Sequence, residues 1–103
     1  MDWVVKVVKR IEWNEAKNLQ LQRERDLSFE QIQIAIEQGA LIDIIQNPNI
    51  DYKHQDILIM DIDGYIVLVP FVEDEEKIFL KTAFKSRKAT KHYIGGKTND
   101  QKI

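Results

Sequence analysis

Residues 79–93, "FLKTAFKSRKATKHY", interleave Lys81, Lys85, Arg87, Lys88, Lys91 and His92 with Phe79, Phe84 and Tyr93. Cations neutralise phosphates and aromatic rings stack on bases, so this mixture suits a single-stranded nucleic acid. His92 adds an imidazole, the side-chain type used most often for proton transfer, and Tyr93 adds a phenol. A solvated basic surface and a packing tyrosine are the plainer readings of the same residues. The charge is also segregated along the chain. Residues 77–103 hold eight Lys/Arg against one acidic residue, Asp100, a formal +7, whereas the first 76 residues carry −9, within a whole-chain charge of −2. Such asymmetry points to an anionic partner.

Other chemistries find little support. The chain has no cysteine, which excludes disulfides and thiolate metal sites. Its two histidines, His54 and His92, are too few for a structural zinc site. Asp56, Asp61 and Asp63 alternate along one strand and its turn, but carboxylates there serve first to keep a hairpin soluble. There is no Gly-rich phosphate loop and no Ser-His-Asp set with a nucleophile elbow. Neither a metal nor a cofactor is expected. The first residues, "MDWVVKVVKRIEW", are interrupted by Lys6, Lys9 and Arg10 and are too short to cross a bilayer, so a soluble cytoplasmic protein is expected.

The elements that must position the basic stretch follow from local patterning. At 103 residues without repeats or a Pro/Gly/Ser linker, the chain is expected to form one domain over residues 1–94 with a flexible tail at 95–103. "WVVKVVKRI" is rich in valine and reads as a strand. Asn14 is placed to cap a polar surface helix ending near Arg25, with Ala16 and Leu19 as its main apolar contacts. Ser28 and Gln31 have capping-box spacing, flanked by Leu27 and Ile32 as a hydrophobic staple. The second helix then buries Phe29, Ile32, Ala35 and Ile36 and stops at Gly39. "ALIDII" reads as a short strand ended by "NPN" at 47–49. "DILIMDIDGYIVLVPF" predicts a hairpin about a type I′ turn at Asp63-Gly64, with Pro70 near a strand end or on an open side. After the acidic "EDEE" turn, a last strand at about 78–85 is predicted to direct Ile78, Leu80, Thr82 and Phe84 toward the helices. Phe79, Lys81, Ala83 and Lys85 then share the open face. Ser86 caps a final helix to about Ile94, on which Ala89 and Tyr93 stack. The sum is an α+β domain with a compact antiparallel sheet, helices on one face, in the order β-α-α-(β)-β-β-β-α.

Three motifs in this order, "IEWNEAKN" (with Trp13, Asn14 and Lys17), "LSFEQI" and "KSRKATKHY", resemble the BrnT-like toxins of the RelE-like ribonuclease group. They span most of residues 11–94. The resemblance implies a toxin of a type II toxin–antitoxin pair that cleaves RNA without a metal and is silenced by an antitoxin encoded nearby. Lys81 stands where the family tends to carry arginine, Arg87 lies in the matching Ser-Arg-Lys-Ala-Thr segment, and Tyr93 matches the tyrosine of the terminal helix. The glutamate that often precedes that tyrosine is missing, since no acidic residue lies between Ser86 and Gly95.

Three functions are therefore carried forward. In the first, a ribonuclease toxin binds RNA through Lys81, Lys85, Arg87, Lys88 and Lys91. Lys81, Arg87, His92 and Tyr93 then supply charge stabilisation and proton transfer for attack by a 2′-hydroxyl. In the second, a non-catalytic module of the same fold holds an antitoxin or a nucleic acid. In the third, a structural protein dimerises through an open strand edge. The expected assemblies are a homodimer or a toxin–antitoxin hetero-oligomer, without a membrane partner.

Overall fold

The computed structural model describes residues 9–95. Most of the predicted first strand and the predicted tail beyond Gly95 lie outside those residues. Along the described chain run β1 (Arg10–Trp13), α1 (Glu15–Arg25), α2 (Phe29–Glu37) and β2 (Leu41–Gln46). A short 3₁₀ turn (Ile50–Tyr52) precedes β3 (Asp56–Ile62), β4 (Tyr65–Glu73), β5 (Lys77–Leu80) and β6 (Phe84–Lys85). The last helix, α3 (Arg87–Thr90), widens into a π-type turn over Lys91–Gly95. The domain is α+β: one six-stranded sheet in the order β1-β5-β4-β3-β2, with β6 also pairing β4.

Local chemistry places the helices as predicted. Asn14 Oδ1 accepts the Lys17 N–H at 3.0 Å, opening α1. Ser28 Oγ accepts the Gln31 N–H at 3.1 Å, opening α2. Leu27 and Ile32 are both buried, and α2 buries Phe29, Ile32, Ala35 and Ile36. Gly39 follows with φ +83°, which suits a residue without a Cβ. Asp63 and Gly64 have φ of 56° and 80°, with Ile62 opposite Tyr65, the geometry of a two-residue hairpin turn. Asp61 Oδ1 accepts the Gly64 N–H at 3.0 Å, so this carboxylate braces the turn.

Four expectations are corrected. First, α1 leaves Ala16 and Leu19 exposed and buries Asn18 and Leu21 instead. Asn18 Oδ1 accepts the Phe29 N–H at 2.8 Å, and its amide donates to Glu30 Oε1 at 2.8 Å. A buried polar side chain is satisfied by satisfying the start of the next helix.

Second, the sheet is mixed rather than antiparallel, because β1 runs parallel to β5, with Ile11 opposite Ile78 and Trp13 opposite Leu80. A strand separated from β5 by two helices and a hairpin can take either direction, and no turn chemistry sets it.

Third, helices cover both faces. One face presents Leu58, Met60, Val67, Val69, Phe71, Ile78 and Leu80 to α1 and α2. The other presents Ile57, Ile59 and Ile66 to Ala89, Tyr93 and Ile94 of the terminal segment. Strands β3 and β4 are apolar at consecutive positions because both of their faces are covered.

Fourth, the strand predicted at 78–85 is broken. Leu80 pairs with Phe71 and Phe84 with Leu68, so Lys81, Thr82 and Ala83 stand opposite only Val69 and Pro70. This is a β-bulge, and the extra residue reverses the alternation beyond it. Ala83 joins the α1–α2 core, contrary to the predicted register. Two features account for the break. Pro70 has no N–H to give on the side where its carbonyl accepts from Lys81 N at 2.8 Å. Arg25, at the end of α1, reaches over to donate from Nη1 to Ala83 O at 2.8 Å and to Thr82 Oγ1 at 3.3 Å.

Candidate nucleic-acid interface

The bulge decides where the basic side chains of the last strands go. Lys81 stands beside Pro70, on the same side of the sheet as Ile57 and Leu68, with its Nζ 5.5 Å from the centroid of the Phe79 ring. That is a cation–π contact at an exposed site. Lys85 is opposite Val67, which belongs to the α1–α2 core, so it occupies the other face of the sheet. The predicted open face shared by Lys81 and Lys85 does not form.

The terminal segment covers the Lys81 face. Ser86 N donates to Ile66 O at 2.9 Å, and Thr90 Oγ1 accepts the Ile66 N–H at 2.8 Å while donating to Ser86 O at 2.7 Å. Ser86 Oγ caps Ala89 N at 3.0 Å. These bonds tie the helix onto β4, with Ala89, Tyr93 and Ile94 packed inward. Arg87, Lys88, Lys91 and His92 are left on the outside, exposed.

Electrostatics separate these cations from those at the opposite end of the sheet. At the acidic turn, Lys9 pairs with Glu73 at 3.0 Å, Arg10 with Glu12 at 3.1 Å and Glu76 at 3.7 Å, and Lys77 with Glu12 at 3.7 Å. The Asp74 carboxylate accepts the backbone N–H groups of Glu76 and Lys77, which hold it below the ordinary aspartate value. The "EDEE" segment is thus occupied with β1 and β5. Among the described residues, Lys81, Lys85, Arg87, Lys88 and Lys91 enter no ion pair.

Tyr93 is held differently. Its hydroxyl lies 3.4 Å from Asp43 Oδ2, and its pKa is raised, first by burial and then by the neighbouring Asp43 charge and hydrogen bond. Asp43 reaches this face because a register shift in β2 between Leu41 and Asp43 sets it opposite Ile59. A phenol in that setting is a weaker acid than a free tyrosine, and its proton is given in a hydrogen bond to Asp43. The His92 ring meets the Tyr93 ring edge-on at 4.8 Å and hydrogen-bonds to no described residue.

Beside Lys81 runs a groove of about 470 Å³. Its floor is Ile57, Leu68, Pro70 and the buried Gln55, and Phe84, Tyr52, Thr82, Asn47 and Asn49 form its rim. Ile57 and Leu68 also support the terminal segment, so groove and basic helix adjoin on one face. The sequence reading passed over this groove. "NPN" reads only as the end of a strand, although an aromatic and three amide side chains within nine residues, 47–55, are a legible signal for polar recognition.

No protein-family model, curated protein or solved structure matches this chain. Among the described residues, no helix is long and apolar enough to cross a membrane, and no group of three or more His, Asp or Glu side chains is placed to hold a metal ion.

The motifs behind the family resemblance fall mainly on the architecture. Trp13 packs on Phe29 with ring centroids 5.6 Å apart, and Asn18 ties "IEWNEAKN" to "LSFEQI". Only "KSRKATKHY" contributes to the basic face.

Proposed function

We propose that the chain is the RNA-binding toxin of a toxin–antitoxin pair, engaging single-stranded RNA with the face made by Lys81, the adjoining groove and the outer side of α3. The observation that carries this reading is the set of unpaired cations, Lys81, Arg87, Lys88 and Lys91, beside aromatic side chains on one face. Phosphates would meet the cations and bases the rings. The toxin part rests on the three motifs, and the RelE-like topology is proposed with it. An antitoxin carrying acidic residues would silence such a surface by covering it.

Metal-independent cleavage is a second reading, favoured by one observation, the contact between His92 and Tyr93 beside the exposed cations. In that reading the Tyr93 hydroxyl would protonate a departing 5′-oxygen despite its raised pKa, with Lys81 and Arg87 countering the phosphoryl charge. His92 is the remaining group for proton abstraction.

The test is binding of labelled oligoribonucleotides against salt, in EDTA, with the RNA examined for cuts. If about four phosphates are neutralised, log affinity falls against log salt with a slope of roughly −3. Replacing Lys81 and Arg87 together by alanine flattens that slope. Salt-independent binding, or none, refutes the proposal; binding without cuts leaves the binding reading and removes the cleavage one.

A further inference from the structure

We propose that the groove beside Lys81 is a slot for one base of the bound strand, and that the base is adenine. The inference rests on the RNA-binding reading for its polymer context and on the groove's own chemistry for its occupant.

Gln55 is the decisive residue. It is only 9% exposed, it lines the groove, and its carboxamide makes no hydrogen bond to any described residue. No fully buried side-chain nitrogen or oxygen among the described residues lacks a partner, so the amide atoms of Gln55, a residue that lines the groove, keep some contact with solvent. A carboxamide without a partner among the described residues has both a donor and an acceptor to offer a ligand. Asn47 and Asn49 add free NH₂ donors, while their Oδ1 atoms each already accept one backbone N–H, from Asn49 at 3.0 Å and Asp51 at 2.9 Å. The turn that orders this rim therefore leaves its free NH₂ groups for a ligand.

The rest of the slot is apolar and aromatic, and its volume lies within the range of small-ligand sites. Tyr52 and Phe84 offer ring surfaces, Ile57 and Leu68 a floor, and Lys81 a cation for the attached phosphate. Adenine fits this inventory better than the other bases. It pairs bidentately with a carboxamide through its amino group and an adjacent ring nitrogen. Its further ring nitrogens are acceptors, which match the asparagine donors. Guanine would bring several N–H groups to a lining whose amide oxygens, apart from that of Gln55, already accept a backbone N–H, and pyrimidines have smaller faces for the rings.

The experiment uses the full chain, isotope-labelled, titrated with AMP and the other three nucleoside monophosphates. Short oligoadenylate and oligouridylate are then compared by fluorescence anisotropy. AMP is expected to move the Gln55 side-chain amide and the Tyr52 and Phe84 resonances. Gln55→Met is expected to weaken AMP and oligoadenylate about tenfold, toward the uridine level. Tyr52→Ala, at an exposed position that spares the core, is expected to weaken both as well. Equal affinity for all four nucleotides, shifts confined to other surfaces, or an adenine preference surviving Gln55→Met overturns the slot. With oligonucleotides still bound and their salt slope intact, those results leave the RNA-binding reading standing. AMP seated in the groove without any oligonucleotide binding does the reverse. If neither binds, both fall.

Discussion

Replacing Asn18 by alanine tests how the first two helices are joined. Asn18 is fully buried on a helix with little apolar surface of its own. Its Oδ1 accepts the N–H of Phe29, the first residue of α2, at 2.8 Å, while Ser28 Oγ serves Gln31 N. The opening N–H groups of a helix have no partner within it, so the two side chains share that task. Phe29 is itself fully buried, and alanine at position 18 would leave its N–H without an acceptor. An unsatisfied buried donor costs about 1–3 kcal/mol. The lost bond to Glu30 adds less, because that carboxylate is exposed and can turn to water. A total of about 2–4 kcal/mol is expected, a large part of the roughly 5–15 kcal/mol typical of a domain this size. With a urea m-value of about 2 kcal/mol/M, the unfolding midpoint should fall by about 1–2 M. Asn18→Asp keeps an acceptor for Phe29 but sets a third carboxylate beside Glu15 and Glu30. It should therefore recover stability as pH is lowered, which alanine cannot do. A midpoint shift below about 0.3 M for the alanine variant would refute this account of the junction.

Two other perturbations probe the two cores separately. Ile32→Ala, at a fully buried position on α2, should cost about 2–5 kcal/mol, read as a lowered urea midpoint; an unchanged midpoint would mean that α2 turns a different side to the sheet. Because the Tyr93 pKa is raised above 10.0, its neutral form contributes stability that is present below the unfolded value and lost as pH rises through the folded one. Tyr93→Phe should remove that part of the alkaline decline, seen in urea midpoints and in absorbance titration of the phenolate. Asp43→Asn should lower the Tyr93 pKa only in part, since burial is the larger cause.

Sequence alone carried the local structure well. Ser28, Asn14, Gly39 and Asp63-Gly64 act within a few residues of themselves, and each sits where its backbone chemistry placed it. The apolar stripe of α2 was legible for the same reason, because helical spacing is a local property. The burial of α1 was not. Leu19 is the obvious apolar residue, yet Asn18 is the one inside, since its amide finds partners contributed by the next helix. The basic residues were identified as a group but not their arrangement. Alternation assumes an unbroken strand, and the bulge at Lys81–Ala83 parts Lys81 from Lys85.

Residue types, caps, turns and charge segregation thus belong to the sequence, because their causes are short-ranged. Strand direction, the faces of the sheet and the composition of the interface belong to the tertiary structure. The parallel pairing of β1, the register shift that brings Asp43 under Tyr93, and the bulge that Pro70 and Arg25 stabilise all arise between segments distant in the chain. A shift of one residue in pairing turns every later side chain to the opposite face. The groove of Gln55, Tyr52, Phe84 and Lys81 therefore exists only once the pairing of distant strands is set.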